Sequence, residues 1–354
     1  MTPFDHPEFD DHEQVIFVRD AEVGLFGIIA LHDTTLGPAA GGCRMQPYAS
    51  HEEALRDVLR LSRGMTLKNA AAGLPLGGGK CVIVADPARA DKARLLEAMG
   101  RHVQALGGRY WTAIDVGVSP RDADAIARSC DYVFCKASEY PDGFDPSNFT
   151  AWGGFVAVKA VLRRLFGDES PAGRRIAVQG LGGVGRELCR LLREAGADLV
   201  VADIDQAALR RVVEELGAEP VDPARIHAAP ADVFAPCALG GVLNDRTIPE
   251  LGARAVCGLA NNQLEAPRHA QALQARGVLY APDFIANAGG VIGASAPIWG
   301  GPDRAAAMRR IEGIGPTLDA IFARAEAEGL TTDEVAQRMA AERLAAARAA
   351  RPAA

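Results

Sequence analysis

The chain has 354 residues, 49% of them hydrophobic and 23% charged, with a formal net charge of −7. That length accommodates two domains with separate cores. The acidic balance, with no basic block, argues against a nucleic-acid partner, and the apolar runs are too short to cross a bilayer as helices.

The N-terminal stretch MTPFDHPEFDDHEQ is acidic and lacks an apolar core, unlike a signal peptide. Val15 to Val18 and Leu25 to Leu31 read as two strands joined by a turn over Asp20 to Gly24. The run from His32 to Met45, HDTTLGPAAGGCRM, follows, and its Gly41-Gly42 could offer bare backbone N–H groups to an anion. Ser50 to Glu53 is a capping box. The helix it opens carries Ala54, Leu55, Val58, Leu61 and Met65 at the spacing of a buried stripe and delivers Lys68. MTLKNAAAGLPLGGGK, Met65 to Lys80, then places two lysines, Lys68 and Lys80, in a segment almost free of bulk. A Gly-rich loop, Gly77 to Gly79, leads into an apolar strand, Cys81 to Val84, so Lys80 stands at the edge of buried structure. Two neighbouring ammonium groups repel, so each favours the neutral form of the other, and a lysine with a lowered pKa can act as a base near neutral pH. A helix from Lys92 to Leu106 and a strand from Tyr110 to Ile114 come next, and Asp115 just past that strand is the carboxylate expected to share the site. Ser119 to Arg128 reads as helix and Tyr132 to Cys135 as a short strand. The turn-rich segment Tyr140 to Pro146 marks a domain boundary.

A long helix from Thr150 to Leu165 opens the second half. The strand Ile176 to Gln179 then runs into Gly180-Leu181-Gly182-Gly183-Val184-Gly185 and a helix from Arg186 to Glu194, and the following strand, Leu199 to Ala202, ends at Asp203. GxGxxG between a strand and a helix, with an acid closing the next strand, is a dinucleotide fingerprint. Gly180 makes the turn, Gly182 admits the pyrophosphate, and Gly185 lets helix and strand pack; the helix N-terminus favours the phosphate charge. Asp203 suits two ribose hydroxyls and repels a 2′-phosphate, and neither Ile204 nor Asp205 offsets that, so NAD is expected rather than NADP. Strands and helices then alternate. Ala231 to Gly241, with Cys237 and Ala238, Ala255 to Leu259 before Asn261 and Asn262, and Val278 to Tyr280 before Asn287 place these residues at strand ends, which line the ligand crevice of a doubly wound sheet. From Asp303 onward the chain reads as helices. The seven cysteines form no CxxC pair and read as reduced core thiols of a cytoplasmic protein, and the seven histidines show no HxxxH, so no metal is expected.

Taken together, HDTTLGPAAGGCRM, GMTLKNAAAGLPLGGGK, TAIDVG from Thr112, QGLGGVG from Gln179, APCALGG from Ala235, ANNQL from Ala260 and NAGGVI from Asn287 resemble the NAD-dependent amino-acid dehydrogenases of the Glu/Leu/Phe/Val type. They run in the family's order over nearly the whole chain. The resemblance implies an α/β fold of two domains around a cleft: a substrate and oligomerisation domain, 1–146, with a C-terminal helix of about 330–354 packing back on it, and a Rossmann-type NAD domain, 147–329. Lys80 matches the catalytic lysine and Asp115 the proton-shuttling aspartate. Lys68 matches the lysine that holds the substrate carboxylate, helped by Gly41 and Gly42, with Met65, Ala40, Asn262, Val291 and Ala294 around the substrate. The cofactor set is Gly180 to Gly185, Asp203, Ile204, Thr150, Cys237, Ala238, Asn261 and Asn287. The implied reaction is reversible oxidative deamination of an L-amino acid to a 2-oxo acid and ammonia by a cytoplasmic homo-oligomer, a dimer or an octamer.

The chain departs from the pattern at Ile114, where the family usually has Glu, and at Ala40 and Ala294, where it has larger residues. Smaller walls imply a bulky side chain, Phe or Trp before Leu or Val. Ile114 also motivates an alternative, a catalytically impaired NAD-binding sensor or scaffold. A third reading, 2-hydroxy-acid oxidation, would want a His base, and none of the motifs carries one at its core.

Overall fold

A computed structural model describes residues 3–140, 142, 144–299 and 303–350. The chain divides into two compact units. The first runs to Asp145 and takes in the described parts of Pro297–Gly301 and Ala340–Ala354; the second comprises Pro146–Ala296 and the described part of Pro302–Met339.

The first unit contains β1 (Gln14–Asp20), β2 (Leu25–Asp33), β3 (Ala39–Ala40), β4 (Cys43–Gln46), α1 (His51–Ala71), β5 (Gly77–Val84), α2 (Lys92–Gln104), β6 (Tyr110–Trp111) and α3 (Pro120–Ala127). Its mixed sheet has the order β1-β2-β5-β3-β6, with β4 beside β5 after β3 ends. The Gly-rich segment expected to be a loop is the first half of β5. Gly77 and Gly78 pair with Ala39 and Ala40, and Cys81 pairs with Cys43. Side chains alternate along a strand. Cys81 and Ile83 therefore enter the core with Leu95, Met99 and Tyr110, while Val82 packs with Ala54 and Val58 of α1. Gly78 and Lys80 share the α1 side of the sheet with Val82. A Cβ on Gly78 would overlap Thr66 Oγ1 and the Thr66 amide, so glycine here is what lets α1 lie directly on β5.

Ser50 caps α1 by accepting from the Glu53 amide at 3.1 Å, and Glu53 returns to the Ala49 amide at 2.8 Å, one residue short of the expected capping box. The buried face of α1 also differs from the apolar stripe. Ala54, Val58, Leu59, Ser62, Thr66 and Asn69 are buried, whereas Leu55, Leu61 and Met65 are half-buried. At the C-terminal end of α1, Ala70 packs with Ala340 and Leu344, and the Arg343 guanidinium donates to the Ala70 and Leu74 carbonyls at 3.0 and 3.4 Å. The guanidinium thus ties the last turn of α1 to the segment that follows it.

The second unit contains α4 (Ser147–Phe166), β7 (Arg175–Gln179), α5 (Gly183–Glu194), β8 (Asp198–Ala202), α6 (Gln206–Leu216), β9 (Glu219–Pro220), β10 (Ala231–Pro236), α7 (Thr247–Glu250), β11 (Ala253–Val256), α8 (Arg268–Ala275), β12 (Leu279–Tyr280), α9 (Asp283–Ala286) and α10 (Gly289–Ala294). After α11 (Ala296–Trp299) come α12 (Arg304–Ile311), α13 (Ile314–Glu328) and α14 (Thr332–Ala350). Every neighbouring pair in the sheet β12-β11-β10-β7-β8-β9 is parallel. A parallel sheet covered on both faces demands continuous apolar strands, and Ile176, Ala177 and Val178 of β7 are each fully buried. The strand order reverses between β7 and β10, the topological switch point of a Rossmann-type sheet.

Three strand expectations shorten. The strand from Tyr110 ends at Trp111, beyond which a single Thr112–Val133 bridge replaces both its continuation and the strand proposed at Tyr132. The strand at Ala255 stops at Val256. Helix α5 begins at Gly183 rather than Arg186, so the phosphate turn is Gly180 to Gly182 alone. No described helix is long and apolar enough to cross a membrane.

Candidate active site

In the first unit the site forms where β3 parts from β4. Ala39 and Ala40 keep the first half of β5 paired, Cys43 takes over at Cys81, and Gly41-Gly42 makes the step between them. The step is tightly packed. A Cβ at Gly41 would overlap the Gly79 carbonyl and stand 3.0 Å from Met65 Cγ, and one at Gly42 would overlap the Ile114 carbonyl and stand 3.0 Å from Asp115 Cβ. The Tyr110 hydroxyl donates to the Gly41 carbonyl at 2.7 Å from below. Backbone from β5, helix α1 and the segment after β6 thus converge on two glycines because neither carries a side chain.

Lys80 is buried here, 6% exposed, and forms an ion pair with Asp115. Asp115 Oδ1 also accepts from Arg44 Nη2 at 3.3 Å and from the Val116 amide at 2.5 Å. Burial pushes the Asp115 carboxyl up, but Lys80 and then Arg44 outweigh it and bring it to about 2. The carboxylate is ionised at neutral pH. Arg44 is itself held by Asp57 of α1, at 3.0 and 3.2 Å from Nη1, and the Tyr48 hydroxyl donates to the same Asp57 at 2.7 Å. The sequence reading missed Arg44, Asp57 and Tyr48. The available signal was an arginine between the apolar Cys43 and Met45, one residue removed from Gly41-Gly42. Lys68 lies on α1 one turn beyond Met65 and is half-buried. Ala40 is fully buried in β3, where its carbonyl accepts from Asn69 Nδ2 at 3.5 Å.

In the second unit, Gly180 has φ +92, and a Cβ there would meet Ala238 at 2.7 Å. The phosphate turn at the end of β7 therefore touches the segment after β10, across the switch point. A Cβ on Gly185 would overlap the Gly180 carbonyl, which is the close helix–strand packing the fingerprint requires, whereas one on Gly182 would meet nothing within 4 Å. That opening, at the N-terminus of twelve-residue α5, fits a pyrophosphate. Asp203 stands at the end of β8, where its two oxygens accept from the Leu181 and Asp205 amides at 2.5 and 2.7 Å. It braces the phosphate turn. Ile204 is 88% exposed beside it.

Asn287 is buried, and its Nδ2 donates to Asn261 Oδ1 at 2.9 Å. Its own Oδ1 is buried with no protein partner, an acceptor left for a ligand or water. Asn262 adopts φ +52, and its carbonyl accepts from the Gly241 amide at 2.8 Å. Thr150 Oγ1 lies where a Cβ on Gly290 would fall, so α4 and α10 meet at that glycine. Val291 is half-buried on α10, Ala294 is buried, Cys237 is half-buried and Ala238 exposed. Among the aromatic residues, Phe149 is core, filling the space over Gly293. Trp111 packs edge-on to Tyr132 at 5.4 Å and Trp152 lies against Phe155 at 5.5 Å. All seven cysteines are free.

Residues 12–132 match the model of the Glu/Leu/Phe/Val dehydrogenase dimerisation domain, and 203–350 that of the glutamate/leucine/phenylalanine/valine dehydrogenases. The chain is 49% identical over 325 residues to a leucine dehydrogenase of Geobacillus stearothermophilus, covering 92% of this chain and 88% of that one. It is 43% identical over 330 residues to a phenylalanine dehydrogenase of Caldalkalibacillus thermarum, covering 92% and 89%. Among solved structures it is similar to L-tryptophan dehydrogenase from Nostoc punctiforme, with a TM-score of 0.84, 42% identity and coverage of 96% and 98%. The protein belongs to the Glu/Leu/Phe/Val dehydrogenase family and is an oxidoreductase acting on amino acids.

Proposed function

We propose that the protein catalyses reversible NAD-dependent oxidative deamination of a bulky apolar or aromatic L-amino acid, giving the 2-oxo acid and ammonia. The observation that carries this reading is the buried Lys80–Asp115 pair beside the Gly41-Gly42 step. NAD, when bound, supplies the acceptor for the hydride that leaves the substrate Cα. Gly180 to Gly185 and the α5 N-terminus would hold its pyrophosphate, and Asp203 its ribose. Leu181, Ile204, Thr150, Cys237, Ala238, Asn261 and Asn287 would complete that cofactor site. Lys68 stays charged and fixes the substrate carboxylate, with Gly41 and Gly42 supplying backbone beside it. Lys80, in its amine form, takes a proton from the water that adds to the substrate iminium carbon. Asp115 passes protons between Lys80, the carbinolamine oxygen and the departing ammonia. Two groups with unlike charge states in one desolvated site divide the acid and base work.

Ala40, Ala294, Met65, Val291 and Asn262 are the proposed substrate walls. The small residues at 40 and 294, and the likeness to proteins named for tryptophan and phenylalanine, favour an aromatic substrate. The higher identity to a leucine dehydrogenase makes leucine the runner-up. A misfit of one methylene in such a pocket is worth only about 1–3 kcal/mol, so the preferences overlap. A kcat/KM series over Phe, Trp, Leu and Val with NAD and with NADP tests both choices. The expected order is aromatic first and NAD over NADP; a strong leucine preference overturns the substrate, and an NADP preference the role of Asp203. Assembly through the first unit, whose matched model is described as a dimerisation domain, is part of the reading. Light scattering of the purified chain measures it. Seven free thiols suit a reducing compartment, and we place the enzyme in the cytoplasm.

A further inference from the structure

We propose that Arg44 is a positioning residue for the proton transfers, the permanent counter-charge that keeps Asp115 ionised and aimed while Lys80 gives up its proton. The inference rests on the reading of Lys80 as the base. In the resting site Asp115 faces two cations, Lys80 from β5 and Arg44 from β4. The chemistry removes one of them: when Lys80 becomes an amine, a buried carboxylate loses its ion-pair partner. Burial then favours the protonated acid. With the Lys80 proton released to solvent, a protonated Asp115 could no longer accept the proton that the carbinolamine hydroxyl gives up as its C–N bond breaks and ammonia leaves. Arg44 prevents this because a guanidinium does not deprotonate in a protein.

The surroundings hold Arg44 for that task. Nη1 donates to both oxygens of Asp57 while Nη2 donates to Asp115, so the planar guanidinium is gripped at two nitrogens and bridges the two carboxylates. Tyr48 in turn fixes Asp57. The Cys43 thiol and the Tyr48 hydroxyl also feel the Asp115 charge, and burial is the main cause that keeps the Tyr48 phenol neutral. Cys43 is held well up by its hydrogen bond to Cys81, then by burial, with the Asp115 charge adding to this. A neutral thiol provides no counter-charge. Ile114, next to Asp115, brings no charge either, and Lys80 and then Arg44 are the cations that act most strongly on this carboxylate.

The test compares Arg44→Gln, Arg44→Lys and Asp57→Asn with the full-length wild type. The acid limb of kcat/KM against pH is expected to rise by about one to three units in Arg44→Gln. It should rise less in Arg44→Lys, which keeps the charge and loses the bidentate grip. Asp57→Asn should lower kcat with a smaller move of the limb. NAD affinity, read by fluorescence titration, should be unchanged in all three. A direct readout uses the Lys80→Ala background, which mimics the loss of one cation. There Asp115 should remain a carboxylate at neutral pH, and become a carboxylic acid when Arg44→Gln is added. Infrared difference spectra against Asp115→Asn detect the acid C=O stretch. An unmoved acid limb in folded Arg44→Gln, or a carboxylate persisting in the double variant, overturns the proposal. If Arg44→Gln does not fold, the Arg44→Lys and Asp57→Asn profiles decide, and a wild-type profile in both overturns it. Turnover surviving in Lys80→Ala would instead remove the base reading, while the infrared result would still report whether Arg44 sets the charge of Asp115.

Discussion

Buried titratable residues around α1 are arranged in opposite ways. Lys80, Asp115 and Arg44 are buried as charges and compensate one another. His12 is buried as a neutral ring: its Nε2 lies 3.1 Å from the Leu59 carbonyl and 3.0 Å from Ser62 Oγ, and its Nδ1 accepts from the Asp10 amide at 3.2 Å. Burial, reinforced by His32, pushes its pKa down to about 4. The unfolded chain therefore binds a proton below about 6.5 that the folded chain refuses. The His12 contribution to stability is fully present above that pH and is lost as pH falls towards 4. His12→Gln removes the titration. Melting temperatures of wild type and variant should diverge between pH 6.5 and 4, with the wild type falling faster; parallel curves would rule out His12 as a source of acid sensitivity.

At the scale of elements, the contact that places the site is that of α1 on β5. Ser62, Thr66 and Asn69, at spacings of four and three, put a buried polar face on the helix instead of an apolar one. Each has a partner across the seam: Ser62 with His12, Thr66 with His32 Nδ1 at 2.8 Å, and Asn69 with the Gly77 carbonyl at 2.6 Å. Directional polar contacts of this kind fix register more tightly than apolar ones. Gly78 is the point of closest approach, since any side chain there would strike the Thr66 backbone. Gly78→Ala should push α1 off the strand, at a cost of about 1–3 kcal/mol for overpacking. Because α1 carries Met65, Lys68 and Asp57, it should also lower kcat/KM for the amino acid. Denaturant unfolding and steady-state kinetics measure the two effects, and a variant with wild-type values for both would refute the packing argument.

For the whole molecule, the proposed chemistry is divided by sequence position. Lys68, Lys80, Asp115 and Arg44 belong to the first unit, and the phosphate turn, Asp203 and Asn287 to the second. Each unit has its own sheet and its own core. Removing a charge from one should therefore leave binding by the other intact. Lys80→Ala is expected to bind NAD with wild-type affinity by calorimetry while losing turnover by at least about a hundredfold, the scale of a general base. Substantial deamination by this variant would mean that another group is the base. With no covalent cross-link between any of the seven cysteines, neither unit depends on a disulfide for its stability.

Much of this was legible in the residues. The dinucleotide fingerprint declares itself locally, because a strand, a glycine turn and a helix contiguous in sequence must also be contiguous in space. The apolar runs of β7 and β8 announce a parallel sheet for the same reason, and the ordered motifs identify the family. Long-range convergence was not legible. Gly77 to Gly79 looked like a loop, because nothing nearby in sequence reveals that α1 and β3 press on that strand from a helix face and a strand edge. The apolar stripe through Leu55, Leu61 and Met65 gave no sign of the buried polar face, because the histidines that partner Ser62 and Thr66 lie on the segment before β1 and on β2, and the carbonyl that partners Asn69 lies on β5. Arg44 and Asp57, thirteen positions apart, became part of the site only when β4 and α1 were laid side by side. Backbone geometry is written in neighbouring residues, but the charge balance of a buried site depends on groups that folding alone brings together.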